Sequence, residues 1–220
     1  MKQNRINMIL IIASIINLII SVIYILQLPE SVPTHFDANW ICDGMGSRWT
    51  AIIPAILPLL IGISMPIAEK FAKKVNQKPM QITMLSLIIY FIVLHWDILL
   101  TMKADLQIGD KLENGVFAWI IFLSFGALFI IMGNYLPTVQ QNKTLGFKIK
   151  WTLENESCWR VTHRFAGKFM VIIGFVYLAS IFVAMLTNLS ELFGFILIFA
   201  LLVIFIAITS IYAYQHRNDV

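Results

Sequence analysis

Long apolar runs separated by short polar intervals dominate this chain. A helix needs about 20 apolar residues to cross a bilayer, and six runs qualify: Ile6–Leu28, Thr50–Ala68, Gln81–Met102, Val116–Leu136, Phe169–Thr187 and Leu192–Tyr214. The pattern predicts an all-α, polytopic membrane protein with six transmembrane helices. An even number of crossings returns both termini to the same side.

Polar positions inside the runs add detail. Ser14, Asn17, Ser21 and Tyr24 recur at alternating spacings of three and four on the first helix, a stripe that must face protein because its polar groups find no partner in lipid. Pro54, Pro58, Gly62 and Pro66 stand four apart on the second, and each proline past the first turn removes a backbone donor and bends the rod. The third helix carries Tyr90, His95, Trp96 and Asp97. At about 100° per residue His95 and Asp97 point to nearly opposite sides, and Asp97, on the face of Tyr90, Leu94 and Thr101, is expected to meet the stripe of the first helix. The fourth run ends at Gly133-Asn134-Tyr135-Leu136-Pro137, and the fifth offers Gly174 with Ser180 and Ala184 for close helix contact.

The longest polar interval, NKTLGFKIKWTLENESCWRVTHRFAGK from Asn142 to Lys168, sets Lys143, Lys148, Lys150, Arg160, Arg164 and Lys168 against Glu154 and Glu156. Its second half reads as a short amphipathic surface helix before helix five. Thr152 would cap it, the two glutamates would lie in its first turn, and Arg160, His163 and Arg164 near its end, as the helix dipole favours. Cys158, Val161, Thr162, Phe165 and Phe169 would share its apolar face, with Trp151 and Trp159 at headgroup level.

Composition agrees with the runs: 59% hydrophobic and 13% charged residues, against about 25% charged in soluble domains, with a mean hydropathy of +0.82. The net charge of +4 does not point to nucleic acid, because the basic residues stand at the ends of the runs, where membrane topology accounts for them. Placing both termini in the cytoplasm puts Lys2, Arg5, Lys70, Lys73, Lys74, Lys78, the basic residues of the long interval and Arg217 inside. Arg48, Lys103 and Lys111 then lie outside with Glu30, Asp37, Asp43, Asp105, Asp110, Glu113 and Glu191. The first run is too long for a signal-peptide core and lacks a small-residue cleavage site, so it is expected to stay in the mature chain. Cys42 and Cys158 fall on opposite sides and cannot pair within one chain. Asn188-Leu189-Ser190 fits the glycosylation pattern only weakly, in a loop close to the membrane. Two regions follow: 1–115, three helices with an outer loop at 29–49, and 116–220, three helices with a cytoplasmic loop at 137–168.

Candidate chemistry is sparse. The outer loop gathers His35, Asp37 and Asp43, which could together bind a divalent cation, with His95 about 10 Å below the surface at 1.5 Å per residue. The alternative is that Asp37 and Asp43 cap turns while His35 packs on a helix end. The chain has no nucleophile with a base at readable spacing, no phosphate loop, no HExxH and no paired-cysteine motif. No enzyme and no cofactor is expected. A metal-binding membrane enzyme or sensor built on the outer His/Asp loop is the alternative from another class.

Two stretches resemble the SdpI family of bacterial membrane proteins. Asn142, Leu145-Gly146-Phe147-Lys148, Trp151-Thr152-Leu153, Trp159, Thr162-His163-Arg164 and Gly167 are similar to its N…IGIR…WTL…W…THR…G pattern. Leu28-Pro29, Val32-Pro33-Thr34-His35-Phe36-Asp37 and Asp43-Gly44 look like the LP…IP.HF…G..DG loop of a small domain that often precedes it. Lys148 departs from the more common Arg, keeping the charge without the bidentate fork, and Ala38 and Trp40 replace the usual small turn residues beside Asn39. The resemblance implies a multi-pass protein of the bacterial cell membrane that protects against a secreted peptide toxin and, in the founding system, holds a transcriptional repressor at the membrane once toxin is bound. It implies a repressor-facing inner surface, with Gly146, Lys148, Trp151, Thr152 and Trp159 in the motif and Arg160, His163 and Arg164 exposed. His35, Asp37 and Asp43, with His95 and Asp97 below them, would face the toxin. The implied partners are thus the lipid bilayer, a peptide outside and a repressor inside, with no direct nucleic-acid contact.

Overall fold

In hydrocarbon a backbone must satisfy its own N–H and C=O groups, so each long apolar run folds as a helix. The computed structural model describes residues 2–37, 39–71, 76–112, 116–187, 189 and 192–219. Its elements are α1 (Lys2–Leu26), β1 (Ser31–Phe36), β2 (Cys42–Ser47), α2 (Ile52–Phe71), α3 (Gln77–Met102), α4 (Val116–Tyr135), α5 (Lys150–Glu154), α6 (Glu156–Leu186) and α7 (Leu192–Gln215). Among the described residues six helices are long and apolar enough to cross a membrane, as the runs predict. Lys73, Lys74, Glu113, Glu191, Ala38, Asn188 and Ser190 lie outside the described residues.

The stripe on α1 is inward-facing. Ser14 and Ser21 are wholly buried and Asn17 nearly so, while Ile9, Ile12, Ile16, Ile19 and Ile23 on the other side are exposed to the surroundings. Trp96 donates to Asn17 Oδ1 at 2.9 Å, and His95 Nε2 lies 2.8 Å from Ser21 Oγ. The expectation that Asp97 meets this stripe is therefore corrected: its neighbours His95 and Trp96 do. Asp97 is on the face of Tyr90, whose ring packs edge-on to Phe125 of α4. It is buried, and its Oδ1 has no hydrogen-bond partner among the described residues.

Between α1 and α2 the expected loop is an antiparallel hairpin, pairing Ser31 with Ser47 and Val32 with Gly46. Pro33, Gly44 and Gly46 hid it, because these residues weaken a strand pattern. Here the glycines admit close approach: a Cβ on Gly46 would come within 2.9 Å of Thr34. The segment after α3 closes on the hairpin, with Cys42 N–H donating to Asp110 O and Gly109 N–H to Cys42 O, both at 2.8 Å. Arg48 donates to the carbonyl of Leu28 at 2.7 Å, placing positive charge beside the C-terminal end of α1 as its dipole favours.

In the second half, α4 and α6 pack backbone against backbone. Gly126 and Gly133 face Gly174 and Gly167, so a Cβ on Gly167 would sit 2.6 Å from Gly133 O, the close approach that small residues allow between membrane helices. The opposite end from the hairpin carries both termini. Asn7 donates to Glu69 at 2.8 Å, and Asn155 donates to Asp219 O at 2.8 Å. The long loop between α4 and α6 lies at that same end.

Candidate functional site

The loop end is built around one turn. Asn142 Oδ1 accepts from Thr144 and Leu145 N–H, both at 2.7 Å, and its Nδ2 donates to Gln140 O at 2.7 Å. This Asx-type turn delivers the chain to Gly146, whose φ of +120° suits glycine alone. Space demands glycine too. A Cβ there would overlap His163 Nε2 and lie 2.9 Å from the Trp159 ring.

His163 and Trp159 are wholly buried and stacked, with ring centroids 3.9 Å apart. Trp159 donates to Val139 O at 2.7 Å. His163 Nδ1 lies 2.9 Å from Trp159 O, and Phe147 N–H donates to Nε2 at 3.0 Å. A carbonyl only accepts and a backbone N–H only donates, so these partners fix a neutral ring with its proton on Nδ1. The histidine clamps the loop onto α6. Thr152, also wholly buried, completes the clamp: its hydroxyl accepts Ile149 N–H at 3.1 Å and stands 2.9 Å from Phe147 O.

Three points of the sequence reading are corrected here. The short helix before the fifth span is only Lys150–Glu154, with Asn155 as the N-cap of α6 through Ser157 and Cys158 N–H. Arg160, His163 and Arg164 therefore lie in the first turns of α6 itself, and Thr152 is not the cap. Trp159 is core, not headgroup-level, whereas Trp151 stays half-buried, edge-on to Tyr214 at 5.1 Å. His163 is not exposed. Among the described residues of this loop and the start of α6, the exposed cations are Lys143, Lys148, Lys150, Arg160, Arg164 and Lys168. Lys148 Nζ reaches Thr144 O at 3.1 Å.

One contact missed by sequence reasoning ties the two halves together. Asn76, buried between α2 and α3, donates to Gln140 O at 2.9 Å and accepts Gln140 N–H at 2.8 Å. An amide side chain thus pairs with a backbone as a neighbouring strand would. No hydrophobic period marks such a residue.

At the hairpin end the structure brings His35 and Asp43 together across the strands as an exposed hydrogen-bonded pair. Asp43 thus faces a histidine in place of capping a turn, and His35 stands exposed, not packed on a helix end. Asp37 does cap a turn, accepting from Asn39 N–H at 2.8 Å and Ile41 N–H at 2.9 Å. Those two donors hold its carboxyl below the usual range. His95, committed to Ser21, does not join the loop. Among the described residues no three His, Cys, Asp or Glu side chains are grouped to hold a metal.

Compared with known proteins, residues 138–213 match the SdpI/YfhL protein family, and residues 12–61 match a domain of unknown function (DUF1648). The first match contains the turn, the clamp and the basic face; the second ends past the hairpin. The chain is 24% identical over 216 residues to Immunity protein SdpI of Bacillus subtilis (strain 168), covering 98% of this chain and 96% of the relative. No solved structure matches it.

Proposed function

Taking the chain as an SdpI-family multi-pass protein of a bacterial membrane, we propose that it is an immunity protein, protecting that membrane from a secreted toxic peptide. One observation carries this reading: the likeness to Immunity protein SdpI runs through nearly the whole of both chains, taking in the hairpin and the clamped loop. The loop end, with Arg5, Lys70, Lys78, Lys143, Lys148, Lys150, Arg160, Arg164, Lys168 and Arg217, lies in the cytoplasm, since basic residues flanking spans are retained there. The hairpin then faces outward.

In this reading region 1–115 carries the toxin-facing surface on its outer hairpin, and region 116–220 carries the inward-facing surface on its cytoplasmic loop. The exposed His35–Asp43 pair and the Asp37 turn offer a polar, rigid surface to a peptide. Arg160 and Arg164, four apart on one exposed face of α6, offer paired charge to an acidic surface of a repressor, while His163 holds the loop from within. Binding and not catalysis is the proposed activity.

Expression in a toxin-sensitive host tests the reading through survival. Protection is expected, and unchanged killing by every secreted peptide toxin tried would remove it. Arg160→Gln with Arg164→Gln should abolish repressor capture at unaltered membrane insertion, whereas lost insertion would make these arginines mere anchors. Single cysteines in the loop should resist a membrane-impermeant reagent added to intact cells.

A further inference from the structure

A cavity of about 370 Å³ opens beside the clamped turn, in the size range of small-molecule sites. Its walls are apolar: Leu87 of α3, Met132 of α4, Met170 of α6 and Phe205 of α7, with Phe147 of the turn beside them. Lys148 is the one charged residue among the described residues that line it. Its ammonium is steadied by the carbonyls of Lys143 and Thr144, at 3.4 and 3.1 Å.

We infer that this cavity holds an acyl chain of one anionic phospholipid, with the phosphate at Lys148. The arrangement follows the lipid's own axis. Leu87 stands ten residues into α3, about 15 Å from its first residue, so apolar lining extends to hydrocarbon depth while the charge stays at the helix ends. An apolar void in contact with lipid forfeits dispersion contacts, and a chain entering it regains them without uncovering any polar group. The single cation then selects a head group of opposite sign. Bound lipid would prop the Gly146 turn from the side opposite His163. This inference is independent of the immunity reading, because lipid retention does not depend on any toxin.

The test uses the full chain purified in detergent, incubated with phosphatidylglycerol or phosphatidylcholine of identical chains and read by native mass spectrometry. One phosphatidylglycerol per chain should be retained in preference to phosphatidylcholine. Leu87→Trp, which fills the cavity, should abolish retention, Lys148→Gln should weaken it about five-fold, and Lys148→Arg should keep it. Each variant is compared at matched elution volume and melting behaviour, with Met132→Phe replacing Leu87→Trp should the latter not fold. Equal retention of the two lipids, undiminished retention in a filled cavity, or a fatty acid or peptide held in place of phospholipid would overturn the proposal.

Discussion

Replacing Gly146 by alanine probes the clamp most directly, because two separable effects act at that position. The first is backbone strain: at φ +120° a residue with a Cβ occupies a region essentially reserved for glycine, at about 1–3 kcal/mol. The second is steric, since the new methyl overlaps His163 Nε2 and presses on the Trp159 ring, and overpacking of this kind is worth about 1–3 kcal/mol. Gly109 supplies the control. Its φ is +96°, but a Cβ there meets nothing within 4 Å, so Gly109→Ala carries strain alone. Reversible unfolding of purified protein by a denaturing detergent in mixed micelles, followed by tryptophan fluorescence, should find Gly146→Ala destabilised by about 2–6 kcal/mol and Gly109→Ala by clearly less. Combining Gly146→Ala with His163→Ala should cost less than the sum of the two, because the overlap is then already relieved. Equal destabilisation of the two alanine variants, with additivity in the double, would refute the packing of the turn against His163.

Three further outcomes follow from the same contacts. Trp159→Phe deletes the donor to Val139 O and leaves that carbonyl unpaired beside a buried ring, so unfolding should become easier by about 1–3 kcal/mol; an unchanged midpoint would count against the 2.7 Å bond. Asn76→Ala should expose the 139–149 loop to limited proteolysis several-fold faster with the helices intact, as both bonds to Gln140 are lost; unchanged cleavage would mean that the loop is held by the clamp alone. Asp37 gives the hairpin a pH dependence. Its carboxyl titrates below its ordinary 3.8 because Ile41 and Asn39 N–H stabilise the charge, so its contribution is complete above pH 3.8 and disappears as pH falls through the lowered value. Amide exchange at Asn39 and Ile41 should accelerate only in that acid window, and Asp37→Asn should remove the transition.

Some of the clamp was written in the sequence in a form the charge pattern obscured. Arg160, Arg164 and Lys168 stand four apart and are exposed; Trp159, His163 and Gly167 stand four apart and are buried. Two adjacent helical rows of opposite character mark a helix edge, and reading the Thr-His-Arg triplet as one polar unit merged them. The hairpin was harder to see. Its strands contain a proline and two glycines, and their fit depends on the neighbouring chain between Gly109 and Leu112, which no local pattern specifies.

The chain's own order determined the six helices, the inward stripe of α1 and the clustering of lysine and arginine at one end. Each depends on local spacing or on the exclusion of polar groups from hydrocarbon, which act before any partner is chosen. Only the tertiary structure decided that His95 and not Asp97 meets Ser21, that Asn76 pairs with Gln140, and that His163 is a buried clamp. These outcomes turn on which face of one helix is presented to another and on glycine pairs that let α4 and α6 touch. Such a choice is settled by packing between segments distant in sequence, and periodicity within one segment carries no record of it.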